Sequence, residues 1–374
     1  MPGDRRRSLV GRPTENKPDA PVRKGSFPVT GISVAPMMDW TDRHCRFFLR
    51  QFSPRIRLYT EMIHAAAILR GDAARLLRFS PQERPLALQL GGSDPAALAA
   101  AARCAEDAGY DEVNLNCGCP SDRVRSGSFG ACLMLQPALV AECVAAMKQA
   151  VKVAVTVKFR IGVVEREAEG SSARAMARGQ EFDASDAAAL EHFARSLLSA
   201  GADALVVHAR KAVLGGLSPH ENRTVPPLRY DVVDGLRRAV ARAGSRDARD
   251  VPVIVNGGLR TTTDVLAALR QFDGVMIGRE AYHRPALLGE LQLALYPDDL
   301  PPPGPVEVLA AMRDYATREA AAGTPLHAIT RHMLGLLSGR PGARALRQVL
   351  SADVLTGTPM DEVFRRAMAL AHTA

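Results

Sequence analysis

From residue 31 to about 280 the chain alternates short, almost continuously apolar runs with longer alanine-rich stretches whose apolar residues recur at helical spacing. A strand that is apolar at every position is covered on both faces, the condition of a parallel sheet with helices outside it. Eight such runs occur: Ile32–Pro36, Ile56–Glu61, Leu86–Leu90, Glu112–Asn116, Val153–Lys158, Ala204–His208, Pro252–Asn256 and Gly274–Gly278. Eight strand–helix units predict an α/β protein built as a closed (β/α)8 TIM barrel. Asp94 with Pro95 opens one helix that stops at Gly109, and Ser185 with Asp186 opens another that stops at Gly201. Each pairs a side-chain acceptor at the start with a glycine at the end.

Two stretches break the rhythm. Residues 165–184 form a charged insertion, read as a mobile excursion after strand five. Pro301-Pro-Pro-Gly-Pro305 is a stiff linker, and beyond it the pattern is helical to the end. The expected organisation is a disordered basic tail over 1–28, the barrel over 29–298 and a small all-α helical-bundle domain over 299–374.

Barrels of this kind carry their active sites at the C-terminal ends of the strands. The residues closing the eight runs are Met37, Glu61, Gln89, Asn116, Lys158, His208, Asn256 and Arg279. As a set they are poorly explained as core. An amide (Gln89), a fixed cation (Lys158) and a histidine (His208) can surround the polar edge of a heterocycle that gains negative charge on reduction, as a flavin does. The last two strands end in Asn256-Gly257-Gly258 and Gly278-Arg279. Missing side chains there let backbone N–H groups approach an anion, and Arg279 adds charge, which suits a phosphate. FMN satisfies both halves. No GxGxxG fingerprint follows a strand, so the dinucleotide NADPH is expected only as a transient reductant.

The loop after strand four, Asn114-Leu-Asn-Cys-Gly-Cys-Pro-Ser-Asp-Arg-Val-Arg, holds two cysteines and two arginines. Cys117 reads as a small buried residue. Cys119 precedes Pro120, whose ring favours an extended backbone that can aim the thiol over the barrel mouth as a general acid.

Composition narrows the partners. The chain has 374 residues, is 47% hydrophobic and carries a formal charge of +8, which favours an acidic partner, nucleic acid first. Part of that charge lies among the prolines and glycines of residues 1–28. No run resembles a secretory signal or a spanning helix, so a cytoplasmic protein without membrane contact is expected. The six cysteines form no zinc-type pair of CxxC units; reduced thiols and no metal site are expected. In the tail, Arg340, Arg344 and Arg347 recur at a spacing compatible with one helical face, among Arg313, Arg318, Arg331, Arg365 and Arg366.

Asn-Leu-Asn-Cys-Gly-Cys-Pro-Ser121, with Ala35-Pro-Met-Met-Asp-Trp-Thr-Asp42 ahead of it, resembles the tRNA-dihydrouridine synthases. His208-Ala-Arg-Lys211, the segment from Gly216 to Leu228, Arg331-His-Met-Leu-Gly-Leu-Leu337 and Pro341-Gly-Ala-Arg344 resemble the A-type subfamily, which acts at positions 20 and 20a of the D-loop. The resemblance implies an FMN-dependent reduction of uridine in tRNA, with NADPH as the source of electrons. It implies that Pro36, Met37 and Met38 back the flavin ring, that Gln89, Lys158 and His208 line its polar edge, and that Asn256, Gly257, Gly258, Gly278 and Arg279 hold the phosphate. It further implies Cys119 as the acid, Asn116 beside the substrate base, and His220 and Arg223 placed to meet RNA, as Arg344 and Arg347 are from the tail. The basic N-terminal tail, the insertion and Phe159, where a small residue is usual, depart from the family pattern. A monomer is expected. Two other classes stay open: a flavin dehydrogenase acting on free pyrimidines, for which the arginine-bearing tail has no purpose, and a non-enzymatic RNA chaperone, for which the strand-end constellation has none.

Overall fold

The computed structural model describes residues 31–121, 129–165, 172–215, 217–243 and 251–374. The basic tail 1–28, Arg123 and Arg125 of the cysteine loop, and residues 166–171 of the insertion lie outside the described residues.

Ten strands are described: β1 (Ile32–Val34), β2 (Leu58–His64), β3 (Leu86–Gly91), β4 (Glu112–Cys117), β5 (Ala154–Arg160), β6 (Val163–Glu165), β7 (Ala204–His208), β8 (Ala212–Leu214), β9 (Val253–Asn256) and β10 (Gly274–Ile277). Eight make one parallel sheet in the order β1-β10-β9-β7-β5-β4-β3-β2, and β6 pairs with β8 in a separate ribbon. A parallel bridge from Ser33 to Arg57 closes the circle; Val34 N–H donates to the Arg57 carbonyl at 2.8 Å and Arg57 N–H to the Ile32 carbonyl at 3.2 Å. The eight apolar runs are thus the eight staves of a TIM barrel.

Alternation within each strand divides the core. Outward residues such as Leu88, Val113, Leu115, Val157, Val207 and Val255 pack against the helices Pro95–Asp107, Pro137–Ala150, Ala184–Ser199 and Tyr230–Ala243. Inward, Ala35, Tyr59, Ala87, Ala204, Val206, Ile254 and Met276 form a smaller buried cluster. Asp94 caps its helix as expected, accepting from Ala97 N–H. The second predicted start is corrected: Asp183, not Ser185, is the cap, and it accepts from the N–H groups of Ser185 and Asp186 while Asp186 reaches back to Asp183 N–H. The reciprocal box satisfies two helix-end donors at once, which Ser185 alone does not.

The insertion contains the helix Ser172–Gln180. Arg178 bonds Asp186 at 3.0 Å, and the buried Lys211 ammonium meets the same carboxylate at 2.6 Å, tying this excursion to the barrel wall. Phe159 points outward onto Phe193, ring centroids 5.1 Å apart, so its departure from the family pattern lies behind the site.

After the proline linker come the helices Pro305–Ala321, Leu326–Thr330, Ala343–Gln348 and Met360–His372. The first two of these pack on the first barrel helix, Arg43–Arg50, and one apolar core runs through barrel and tail. Phe47 stacks on Tyr315 at 4.0 Å, His44 Nδ1 lies 2.8 Å from the Tyr315 hydroxyl, and Arg43 pairs with Glu319. Asp42, the cap of that barrel helix, accepts from both Arg331 and His332 at 3.0 Å. Burial opposes ionisation of Asp42, but the His332 hydrogen bond and charge overcome it and hold the carboxyl well below the usual range.

Candidate active site

Parallel register brings the strand-end side chains into a ring. Gln89 is level with Asn114, Asn116 with Lys158, Arg160 with His208, and His208 with Asn256. Over β1, the loop carrying Pro36, Met37 and Met38 is held by Thr41, whose hydroxyl accepts from Met37 N–H, and by Glu61, which accepts from Asp39 N–H. Asp39 sits at φ 64°, a conformation aspartate tolerates better than most residues. Met38 is left 55% exposed on the rim.

A continuous polar chain climbs the inside of the barrel. Tyr59 and Thr156 hydroxyls donate to Glu112; Asn114 Nδ2 donates to Thr156 at 2.7 Å; Gln89 Nε2 donates to Asn114 at 2.8 Å; Asn116 Nδ2 donates to Gln89 at 2.8 Å. Asn116 Oδ1 then accepts from the backbone N–H groups of Gly118 and Cys119, each at 3.0 Å, and so shapes the cysteine loop. Cys119 is half-buried at the mouth, its Sγ 3.4 Å from Ser121 Oγ, whereas Cys117 is fully buried and burial pushes its thiol up.

The other side of the mouth is crowded with positive charge. Burial, with Arg160 beside it, pushes Lys158 down to about 7. The barrel interior penalises a charge that water would tolerate. Burial, reinforced by Arg160, Lys158, Arg210 and Arg223, pushes His208 well below its ordinary value, and its buried Nδ1 has no partner among the described residues. Arg160 spans the gap from the Gly118 carbonyl, at 3.0 Å, to those of Lys211 and Asn222, joining the cysteine loop to the loop after β7. Arg223 is held below the usual arginine value by burial first and then by the charge of Arg279; Arg210 is held below it by burial, with Arg279 and Arg260 adding to the effect. Among the described residues, Arg223 and Arg279 meet no carboxylate.

Gly257 and Gly258 have φ of 111° and 74°. A Cβ on Gly257 would stand 3.1 Å from His208 Nε2, and one on Gly258 would collide with Leu228, so both the backbone shape and the histidine's place require glycine. The Tyr230 hydroxyl donates to the Gly257 carbonyl and fixes the turn. Gly278 faces open space and precedes Arg279, the first residue of a short helix.

The expected residues Cys119, Asn116, Gln89, Lys158, His208, Arg223 and Arg279 come together around this mouth. Asn256 also lies there, but its amide donates to the Met276 carbonyl at 2.7 Å, clamping β9 to β10. His220 is exposed in the turn before Arg223. Arg344 and Arg347 are carried by the tail helix Ala343–Gln348. Arg340 does not share their face, because Gly342 in a left-handed conformation starts that helix after it. Arg313, Arg331, Arg365 and Arg366 are engaged by Asp314, Asp42, Glu362 and Asp353. Sequence reasoning missed Arg160 and Tyr230, which no local pattern marks, Arg210, which lies within His208-Ala-Arg-Lys211 but was given no role, and the Glu112, Asn114, Thr156 chain, which the polar alternation in Glu-Val-Asn-Leu-Asn116 could have revealed.

The chain matches the model of the family described as dihydrouridine synthase over residues 33–369. It is 50% identical over 343 residues to the tRNA-dihydrouridine(20/20a) synthase of Pseudomonas putida, covering 92% of this chain and 94% of that one. The enzyme of that name from Xanthomonas axonopodis pv. citri is 52% identical over 320 residues, 86% of this chain and 87% of its own. Its counterpart in Synechocystis is 45% identical over 340 residues, 91% and 94% of the two chains.

Proposed function

Because the chain belongs to the dihydrouridine synthase family, we propose that it reduces uridines at positions 20 and 20a of tRNA to 5,6-dihydrouridine, with FMN bound in the barrel mouth and NADPH as the transient reductant. The observation that carries this reading is the mouth itself: a half-buried cysteine faces a crowd of cations and a histidine nitrogen that meets no partner among the described residues, beside a glycine cradle.

The residues suit FMN in three ways. The charge of Arg279 adds to the cost of charging Arg210 and Arg223, which an anion beside them relieves. His208 Nδ1 is a buried polar atom lacking a partner among the described residues, which a ligand can provide. Gly278 faces open space directly before Arg279, which leaves room for an anion beside that guanidinium. On this reading Asn256, Gly257, Gly258, Gly278 and Arg279 hold the phosphate, Gln89, Lys158 and His208 hold the polar edge of the ring, and Pro36, Met37 and exposed Met38 back its face.

The chemistry that bound, reduced FMN would supply here is a hydride for C6 of the uracil ring. Cys119 gives the proton to C5, and its thiolate is reprotonated from solvent, so two electrons and two protons complete the saturated bond. Asn116 holds the backbone of Cys119 and lies beside the base. A buried base must first leave its stack, at a cost of a few kcal/mol that contacts to the RNA backbone offset. His220, Arg223 and the tail cations Arg344 and Arg347 serve that purpose, and the helices over 299–374 act as the RNA-gripping domain.

The test is a nucleoside digest. Unmodified tRNA incubated with the protein, FMN and NADPH should yield a nucleoside two hydrogens heavier than uridine, confined to positions 20 and 20a. Reduction of free uracil or orotate with tRNA left untouched would instead identify a small-molecule dehydrogenase.

A further inference from the structure

The polar chain inside the barrel has a direction. At its upper end the N–H groups of Gly118 and Cys119 can only donate, so the oxygen of Asn116 must face them and its NH2 must face Gln89. At its lower end a carboxylate accepts, so Thr156 must turn its proton toward Glu112 and leave its lone pairs for Asn114. Tyr59 is held protonated by burial and by Glu112, and donates to the same oxygen. Every amide between the two ends then has one permitted orientation: a flip of Gln89 would set its NH2 against the NH2 of Asn116 and its oxygen against that of Asn114. Glu112, Asn114, Thr156 and Gln89 are all buried, so no water-facing alternative competes.

We propose that Glu112, acting through Thr156 and Asn114, is a positioning residue that fixes which way the amides of Gln89 and Asn116 present themselves at the barrel mouth and, through Asn116, holds the loop of Cys119. Glu112 lies at the start of β4, at the opposite end of the strand from the cysteine loop. Arg57 Nη1 stands 3.3 Å from its second oxygen. In Glu112→Gln the amide turns its oxygen to that guanidinium and its NH2 to Thr156, so the Thr156 hydroxyl accepts from both sides and its proton, like that of Tyr59, loses the carboxylate that took it. The upper end cannot reverse, because backbone N–H groups cannot accept, so the amides keep their order while Thr156 no longer ties them to an acceptor at the base of the chain. Thr156→Val, nearly isosteric, removes the link and leaves Tyr59 as the hydroxyl donor to the carboxylate, and Thr156→Ser keeps the link.

The assignment of Gln89 to a flavin rests on the function proposed above; the hold on Cys119 does not. Two readouts separate them: site-resolved alkylation of Cys119 by iodoacetamide in flavin-free protein, and FMN affinity by fluorescence quenching, with far-UV circular dichroism checking the fold. Half-exposed Cys104, on the outer helix Pro95–Asp107, is the internal control. Glu112→Gln and Thr156→Val should each raise the Cys119 rate about fivefold, the scale of one lost hydrogen bond, and weaken FMN binding, with Cys104 unchanged and Thr156→Ser matching the parent. An unchanged Cys119 rate in both variants overturns the proposal, as does a parallel rise at Cys104, which means general loosening. If the parent binds no FMN while the Cys119 rates still move as stated, the positioning chain stands and the flavin reading fails.

Discussion

Lys158 titrates near neutrality because burial and the neighbouring Arg160 together outweigh its intrinsic basicity. An anionic edge beside the ammonium favours the charged form and raises that value on binding. Binding then takes up a proton in an interval that opens near pH 7, so affinity is complete below the interval and falls as pH rises through it. In Lys158→Met that dependence is absent. The ratio of FMN affinities, parent over variant, should therefore shrink between about pH 6 and about pH 9 when measured by fluorescence titration; a constant ratio would show that Lys158 does not meet the ligand. Cys119 supplies the second residue-scale prediction. Cys119→Ala removes a proton donor and no cation, so FMN retention should be normal while dihydrouridine formation falls by at least about a hundredfold, the lower range of general acid catalysis. Turnover at the parent rate would assign the acid elsewhere.

The elements differ in how openly the sequence displays them. Parallel strands buried on both faces read as unbroken apolar runs, and all eight barrel staves were legible for that reason. The ribbon of β6 and β8 was not, since its strands have three residues each and lie inside loops. Strand-end residues were legible as a ring because each closes a recognisable run. Arg160 and Arg210 were not, because their closeness to the site depends on how neighbouring strands register and how the loop after β7 folds back. The helix Arg43–Arg50 shows how much one terminus can carry. Asp42 caps it, accepting from His44 and Cys45 N–H at 2.9 Å, and also anchors the tail through Arg331 and His332. Asp42→Asn keeps an acceptor for the cap and loses the charge; Asp42→Ala loses both and should be less stable by a further ~1 kcal/mol in thermal or urea unfolding. Because folding lowers the Asp42 pKa, its charge contribution is complete above the ordinary carboxylate range and is lost as pH falls through the depressed folded value. Equal melting temperatures for the two variants across that range would deny Asp42 its role as a cap.

At the scale of the whole molecule, the tail is not a loosely tethered appendage. Its helices share the barrel's apolar core and pin themselves through Tyr315, Glu319, Arg331 and His332 to the first barrel helix. Trp40, in the loop after β1, stacks on Tyr282 at 4.5 Å, and the Tyr282 hydroxyl reaches the Arg331 carbonyl, so the rim of the mouth and the tail meet directly. Reversing charge at both positions, Arg344→Glu with Arg347→Glu, should weaken tRNA binding, lower the dependence of log affinity on log salt by about one for each phosphate no longer engaged, and leave FMN affinity as it was. An unaltered salt slope would place the RNA on another face.

The central claim joins one cofactor to one substrate, and a single anaerobic cuvette addresses both. Purified protein should show the visible bands of bound flavin; NADPH should bleach them, and unmodified tRNA should restore them as the electrons pass to uridine. Bands that bleach and return only with a free pyrimidine, or correctly folded protein that neither retains nor takes up flavin, would contradict the account.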